Sequence, residues 1–277
     1  MCAAARVIKN ISTDGVVLGV TSVDDELFVL LQRNDSQIAV YSINDYRLLR
    51  HLNVPRYAPG ALSDMTSCVR RKCLYMSDFD NSCIHRYELK STFSAIVKQL
   101  VRSHTSKWPV PARPGGLSVT PSCNLLVTCW DPFYKLVELS AGSVQCVRKI
   151  ALQSDIQCRN HSVQLTTGQY VVCHSLFDSD LHRVCVVGDG GKVTRSYGGQ
   201  CGSDVGYLNG PDHLAVDKDS QFIFVADSNN NRVVLLSLTL QFVSHVSVTR
   251  PRRLHFHQAT RRLFVGQWDD DVTVIQF

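Results

Sequence analysis

Gly210-Pro211-Asp212-His213-Leu214-Ala215-Val216-Asp217 and, after four intervening residues, Phe222-Ile223-Phe224-Val225-Ala226-Asp227-Ser228-Asn229-Asn230-Asn231-Arg232-Val233 decide how this chain reads. The stretch is an apolar run, a polar turn, a second apolar run, a turn of Asp, Ser and Asn, then a third apolar run. Short β-prone runs punctuated by Asx-rich turns are the pattern of antiparallel strands. The same strand–turn–strand element recurs at residues 27–41, 73–87, 125–139, 170–187 and 263–275. The first apolar residue after each turn is Ile38, Ile84, Leu136, Val184, Val233 and Val272, a mean spacing of about 47 residues. Strand-built repeats of this period predict the blades of a propeller.

The expected architecture is therefore all-β, a six-bladed β-propeller in one domain, with blades at roughly 12–57, 58–112, 113–158, 159–208, 209–250 and 251–277. The final repeat stops at Phe277 without an outer strand, while Arg6–Ile11 is a β-prone run belonging to no blade. Pairing 6–11 with the final repeat would close the ring and hide two sheet edges. Breakers fall between blades, and the Pro-rich stretch Ser103–Gly116, with Trp108, reads as a long irregular loop.

Composition narrows the class. A 44% hydrophobic fraction argues against disorder, and no apolar run approaches the roughly 18–20 residues of a membrane-spanning helix. Met1–Arg6 is too short and wrongly arranged for a secretory signal. The eleven cysteines are odd in number, and Cys73, Cys129, Cys173 and Cys185 fall inside strands, where a thiol behaves as a small buried hydrophobe. A cytoplasmic, monomeric protein is expected. No Cys-x-x-Cys spacing occurs, which removes zinc-ribbon and RING-type sites. The sequons at Asn10, Asn34 and Asn160 read as chance matches. The net charge of +5 permits an anionic partner without demanding one.

Gly206 through Val233 resembles the NHL repeat: a Gly, an apolar residue, a Pro, an apolar-Ala-Val-Asp strand, then Val225-Ala226-Asp227-Ser228, Asn230 and Arg232-Val233. Elsewhere the pattern thins. Ser77-Asp78-Phe79-Asp80-Asn81 keeps Asp and Asn, and Thr128–Asp131 and Val265–Asp269 keep an acid beside an aromatic. The chain resembles the C-terminal propeller of animal TRIM-NHL proteins. That resemblance implies a binding module for protein or RNA, with RNA taken on the face where the chain enters each innermost strand.

On that face the entering loops carry Arg56, Arg113, Arg159, His161, His213, Arg252 and Arg253, which are the candidate ligand-binding residues. Converging on a central opening, they would form a positive mouth for phosphate, carboxylate or an RNA loop. Hairpin loops of the same face carry Asp35, Asp78, Asp80, Asp131, Asp178, Asp180, Asp227 and Asp269–Asp271, and an Asp ring beside an Arg ring can equally pair off. Trp108, Trp130, Tyr134 and Tyr57 are candidate aromatic anchors for a protein partner. The Asp227–Arg232 turn lacks the distal Glu of an EF-hand and reads as hairpin chemistry, and His255 with His257 is weak evidence for zinc.

No catalytic residue, metal or cofactor is expected. The enzymatic alternative is a gluconolactonase-like, metal-dependent hydrolase, since that class is also built of about six blades. Such a resemblance implies a channel ion held by Glu, Asn and Asp. Asn160 and Asp212 occupy comparable positions, but the N-terminal blade offers no matching Glu, and no Gly-x-Ser-x-Gly nucleophile pattern exists.

Overall fold

The computed structural model describes residues 5–32, 37–54, 57, 59–89, 105–130, 135–156, 161–175 and 180–277. Their strands assemble into six antiparallel four-stranded sheets. The first holds β2 (Val16–Val23), β3 (Glu26–Gln32), β4 (Gln37–Ser42) and β5 (Leu48–Asn53). The second holds β6 (Met65–Cys68), β7 (Cys73–Asp78), β8 (Cys83–Glu88) and β9 (Thr105–Pro109). The third holds β10 (Arg113–Val119), β11 (Leu125–Trp130), β12 (Lys135–Leu139) and β13 (Cys146–Ala151). Next come β14 (Ser162–Gln164), β15 (Tyr170–His174), β16 (Leu181–Val187) and β17 (Val193–Gln200). The fifth is β18 (Pro211–Asp217), β19 (Phe222–Asp227), β20 (Arg232–Ser237) and β21 (Phe242–Ser247). The sixth runs β22 (Pro251–His257), β23 (Arg262–Gln267), β24 (Asp271–Gln276) and, outermost, β1 (Arg6–Ser12).

The ring closes as the truncated repeat predicts. Arg6 pairs with Gln276 and Ser12 with Asp271, with a bulge between Val7 and Lys9. Innermost strands neighbour one another in a circle, β2 lying between β6 and β22. The result is a six-bladed β-propeller. The stretch 103–116 differs from its expected loop: Thr105–Pro109 and Arg113–Val119 are strands. Proline is tolerated there because Pro109 ends the outermost strand of its blade and Pro114 lies at a register shift.

The core lies between blades. Successive strand residues point to opposite faces, so Leu27, Val29 and Leu31 pack toward Phe264, Val272 and Val274, whereas Phe28 and Leu30 pack toward Leu74 and Met76. The same alternation seats Tyr75 and Trp108 against Leu117 and Val127, and Phe224 against Phe256 and Leu263. Close approach of inner strands requires glycine: a Cβ at Gly19 would sit 2.5 Å from that of Met65. Cys73, Cys129, Cys173 and Cys185 are buried free thiols. Among the described residues, no helix is long and apolar enough to cross a membrane.

Candidate functional site

The channel along the propeller axis carries two cavities, because each innermost strand presents its first residues to one mouth and its last to the other. At the entering-loop mouth a cavity of about 640 Å³ is lined by Trp130, Asp212, Arg250, Arg252, Arg253 and Trp268, among others. The far mouth holds a cavity of about 680 Å³ whose polar lining includes Ser22, Ser67, His161, His213 and His255. Between them stands Asp64, which touches residues of both.

Asp64 is buried just ahead of β6, and its carboxylate is saturated with donors. Oδ1 accepts from the Met65 N–H at 2.8 Å and lies 3.5 Å from Arg253 Nε; Oδ2 accepts from the Leu117 N–H at 2.8 Å. His213 Nε2 lies 3.5 Å and His161 Nε2 3.8 Å from Oδ2. The two imidazoles stack with centroids 3.6 Å apart. Although burial opposes ionisation, the facing His213, Arg253 and His161 outweigh it and hold the Asp64 carboxyl well below the usual range. His161 is pushed down to about 3, first by burial and then by the neighbouring His213.

Asp64, His161 and His213 bring their ligand atoms close enough to suggest a metal. Hydrogen bonding assigns them otherwise. His161 Nε2 faces the Leu117 carbonyl at 2.9 Å, and a carbonyl only accepts, so that nitrogen carries a proton. His213 Nδ1 accepts from the Leu254 N–H, leaving the His213 proton on Nε2 toward Asp64. Both nitrogens that face the carboxylate are spent as donors, and Arg253 supplies the positive charge. The cluster is a polar plug across the channel.

Arg253 is buried and fully engaged. Nε donates to the Leu18 carbonyl at 2.8 Å, Nη2 to Ser63 O at 3.1 Å, and Nη1 to Arg252 O at 3.2 Å and Asp212 at 3.3 Å. Arg252, one residue earlier, falls at a register shift of β22 and meets different partners. The residue is only 2% exposed, and its guanidinium lies 3.7 Å from the centre of the Trp268 ring and donates from Nη2 to the Ala61 carbonyl. Nε and Nη1 have no partner among the described residues. Burial, then the charge of Arg253, pushes its pKa down to about 9.

The remaining positions distribute unevenly. Arg113 lies over the Phe79 ring, which meets Trp130 edge-on at the rim. Arg56 and Arg159 fall outside the described residues. The structure thus brings His161, His213 and Arg253 together at Asp64, places Arg252 in the cavity wall and leaves Arg113 on the rim. Asp64 and Asp212, rather than hairpin-loop acids, neutralise Arg253. Asp227 is instead consumed by its own turn, accepting from Arg232 Nε, Asn230 and the Asn209 N–H. Of the expected anchors, Trp108 and Tyr57 are buried and Tyr134 lies outside the described residues, leaving Trp130. His255 bonds Ser22 Oγ at 2.6 Å and His257 bonds Thr260 Oγ1 at 2.8 Å, so each is already engaged.

Sequence reasoning missed Asp64 and gave Trp268 no role. Ser63-Asp64-Met65 resembles any polar turn before a strand, and only ring closure sets it against residues 53 to 189 positions away. The signal for Trp268 was present in Trp130-Asp131 and Trp268-Asp269, two hairpin turns each beginning with an indole.

A second buried constellation, Asp78, Cys83 and His85, has the composition of a thiol catalyst without its geometry. Asp78 Oδ2 and Cys83 Sγ lie at 2.9 and 3.6 Å from the same nitrogen, His85 Nε2, whereas a relay uses both ring nitrogens. Burial, with Asp78 second, also pushes the Cys83 thiol up to about 11.

No family model matches this sequence, and no curated protein matches it. A solved structure, the hydrazine synthase of Kuenenia stuttgartiensis, is similar in fold, with a TM-score of 0.66 at 14% identity over 96% of this chain and 97% of that one. At that identity the likeness establishes the propeller architecture.

Proposed function

We propose that this propeller is a non-enzymatic interaction module of NHL-repeat type that holds a polypeptide partner at its entering-loop mouth. The observation that carries the reading is the cavity there, with two indoles, Trp130 and Trp268, beside Arg250 and Arg252. Amphipathic aromatics and Arg in a concave site are the residue types that anchor partners. RNA is the less favoured ligand, because a phosphodiester backbone needs a run of unneutralised cations. Here Arg253 is paired with Asp64 and Asp212, and Arg250 lies 3.3 Å from Asp269. The hydrolase alternative finds little support, since Asp212 is committed to Arg253 and Asp64 to its donors. The buried thiols favour a reducing compartment, the cytoplasm, and the protein acts there as a monomer.

The test is parallel selection on the purified full chain, from random 12-residue peptides and from a random single-stranded RNA pool. Peptides that compete with one another and lose binding on Trp130→Ala support the reading. Enrichment of RNA alone, or of nothing, overturns it.

A further inference from the structure

Two arginines are buried side by side at the base of this mouth, and only one has been provided for. A buried guanidinium without acceptors is costly, since each N–H removed from water loses hydrogen bonds that nothing replaces. Arg252 keeps one carbonyl and an indole face, while Nε and Nη1 face no acceptor among the described residues. Its nearest acids are committed elsewhere: Asp64 to the plug and Asp212 to Arg253. The side chain is nonetheless held in place, sandwiched between Trp268 and the turn at Ala61, and both of those residues line the 640 Å³ cavity. A buried cationic donor with no anion of its own among the described residues is complementary to an incoming oxyanion.

We propose that Arg252 and Trp268 form a subsite for one carboxylate of the bound polypeptide, an inference that rests on the polypeptide-binding reading above. The carboxylate accepts from Arg252, and the carbon chain that carries it lies along the Trp268 indole. Both free donors are shielded from bulk water by the indole and the turn at Ala61, so the ligand parts these two to reach them. A single such subsite suits an isolated acidic group better than a polyphosphate, because Asp212 lines the same cavity and disfavours additional negative charge.

The test uses peptides selected on the wild-type protein. Each Asp or Glu is changed in turn to Asn or Gln, and the C-terminus is prepared both free and amidated, with affinities measured by calorimetry. One swap is expected to weaken binding about tenfold or more, as for loss of a desolvated charged hydrogen bond; a side-chain swap or an amidation effect then identifies which carboxylate is read. The same peptide should lose affinity on Arg252→Met and Trp268→Leu, and Arg252→Met should erase the difference between acid and amide. Peptides that bind Arg252→Met as tightly as wild type, or tolerate every swap and amidation, overturn the carboxylate subsite while leaving the interaction module standing. Because the peptide-side swaps need no protein variant, the result does not depend on how either variant folds. Selection that yields no peptide defeats both readings.

Discussion

Arg252 and Arg253 are adjacent in sequence and both buried, and they have opposite situations. Arg253 is enclosed by the carbonyls of Leu18, Ser63 and Arg252 and by the carboxylates of Asp64 and Asp212. Arg252 has one carbonyl and a ring. A register shift in β22 accompanies the difference. Arg253 pairs with Gly266 and reaches acceptors from three other blades, whereas Arg252 falls at the irregularity between Pro251 and Arg253 and meets Trp268 of its own blade's hairpin loop. A buried charge with all its partners is part of the architecture, whereas one lacking them signals something the molecule is built to receive.

The contrast can be broken first at Arg253. Replacing it with Met leaves Asp64 without its permanent cation, and removing one partner of a buried pair costs about 3–5 kcal/mol. Chemical denaturation should register that loss. A stability equal to wild type would mean that the plug is not held by charge.

A second measurement sharpens the plug side through pH. His161 and His174, both buried, are held at about 3 and about 4, in each case first by burial. The unfolded chain takes up protons near the ordinary value of about 6.5, and the folded chain does not, so stability falls as the solution is acidified between about pH 6.5 and pH 4. The slope should approach about 1.4 kcal/mol per pH unit for each histidine. Asp64 continues the trend below about pH 4, because its depressed folded-state value means that the native form resists protonation. Thermal melts at pH 7, 5.5 and 4.5 test this, and His161→Gln should flatten the curve.

Smaller effects belong to the Arg252 side. Trp268→Leu removes a stacked cation–ring contact and should lower stability by about 1–2 kcal/mol in denaturant titration. Arg252→Met should leave stability unchanged or raise it by up to about 1 kcal/mol, since an apolar side chain there no longer buries unmet donors. If Arg252→Met destabilised as much as Arg253→Met, the two arginines would be equivalent and the carboxylate subsite would lose its physical basis.

What the sequence determined by itself was the blade count, the strand character and the closure of the ring. Those properties are local or periodic: apolar alternation, Asx turns and a repeat of about 47 residues are written in consecutive letters. It also marked His161, His213, Arg252 and Arg253 as residues facing the channel, because each sits at the start of an innermost strand. It could not separate their roles. Whether a cation is neutralised depends on which carboxylates the closed ring sets within about 4 Å of it. Asp64 reaches Arg253 and His161 only after six blades have packed around one axis. The reading of 103–116 as a loop failed for the same reason, as an outer strand ending in Pro109 needs only one neighbour for its backbone. Tertiary structure alone decided which of two neighbouring arginines would be satisfied, because that depends on the partners brought by other blades and not on the residue itself.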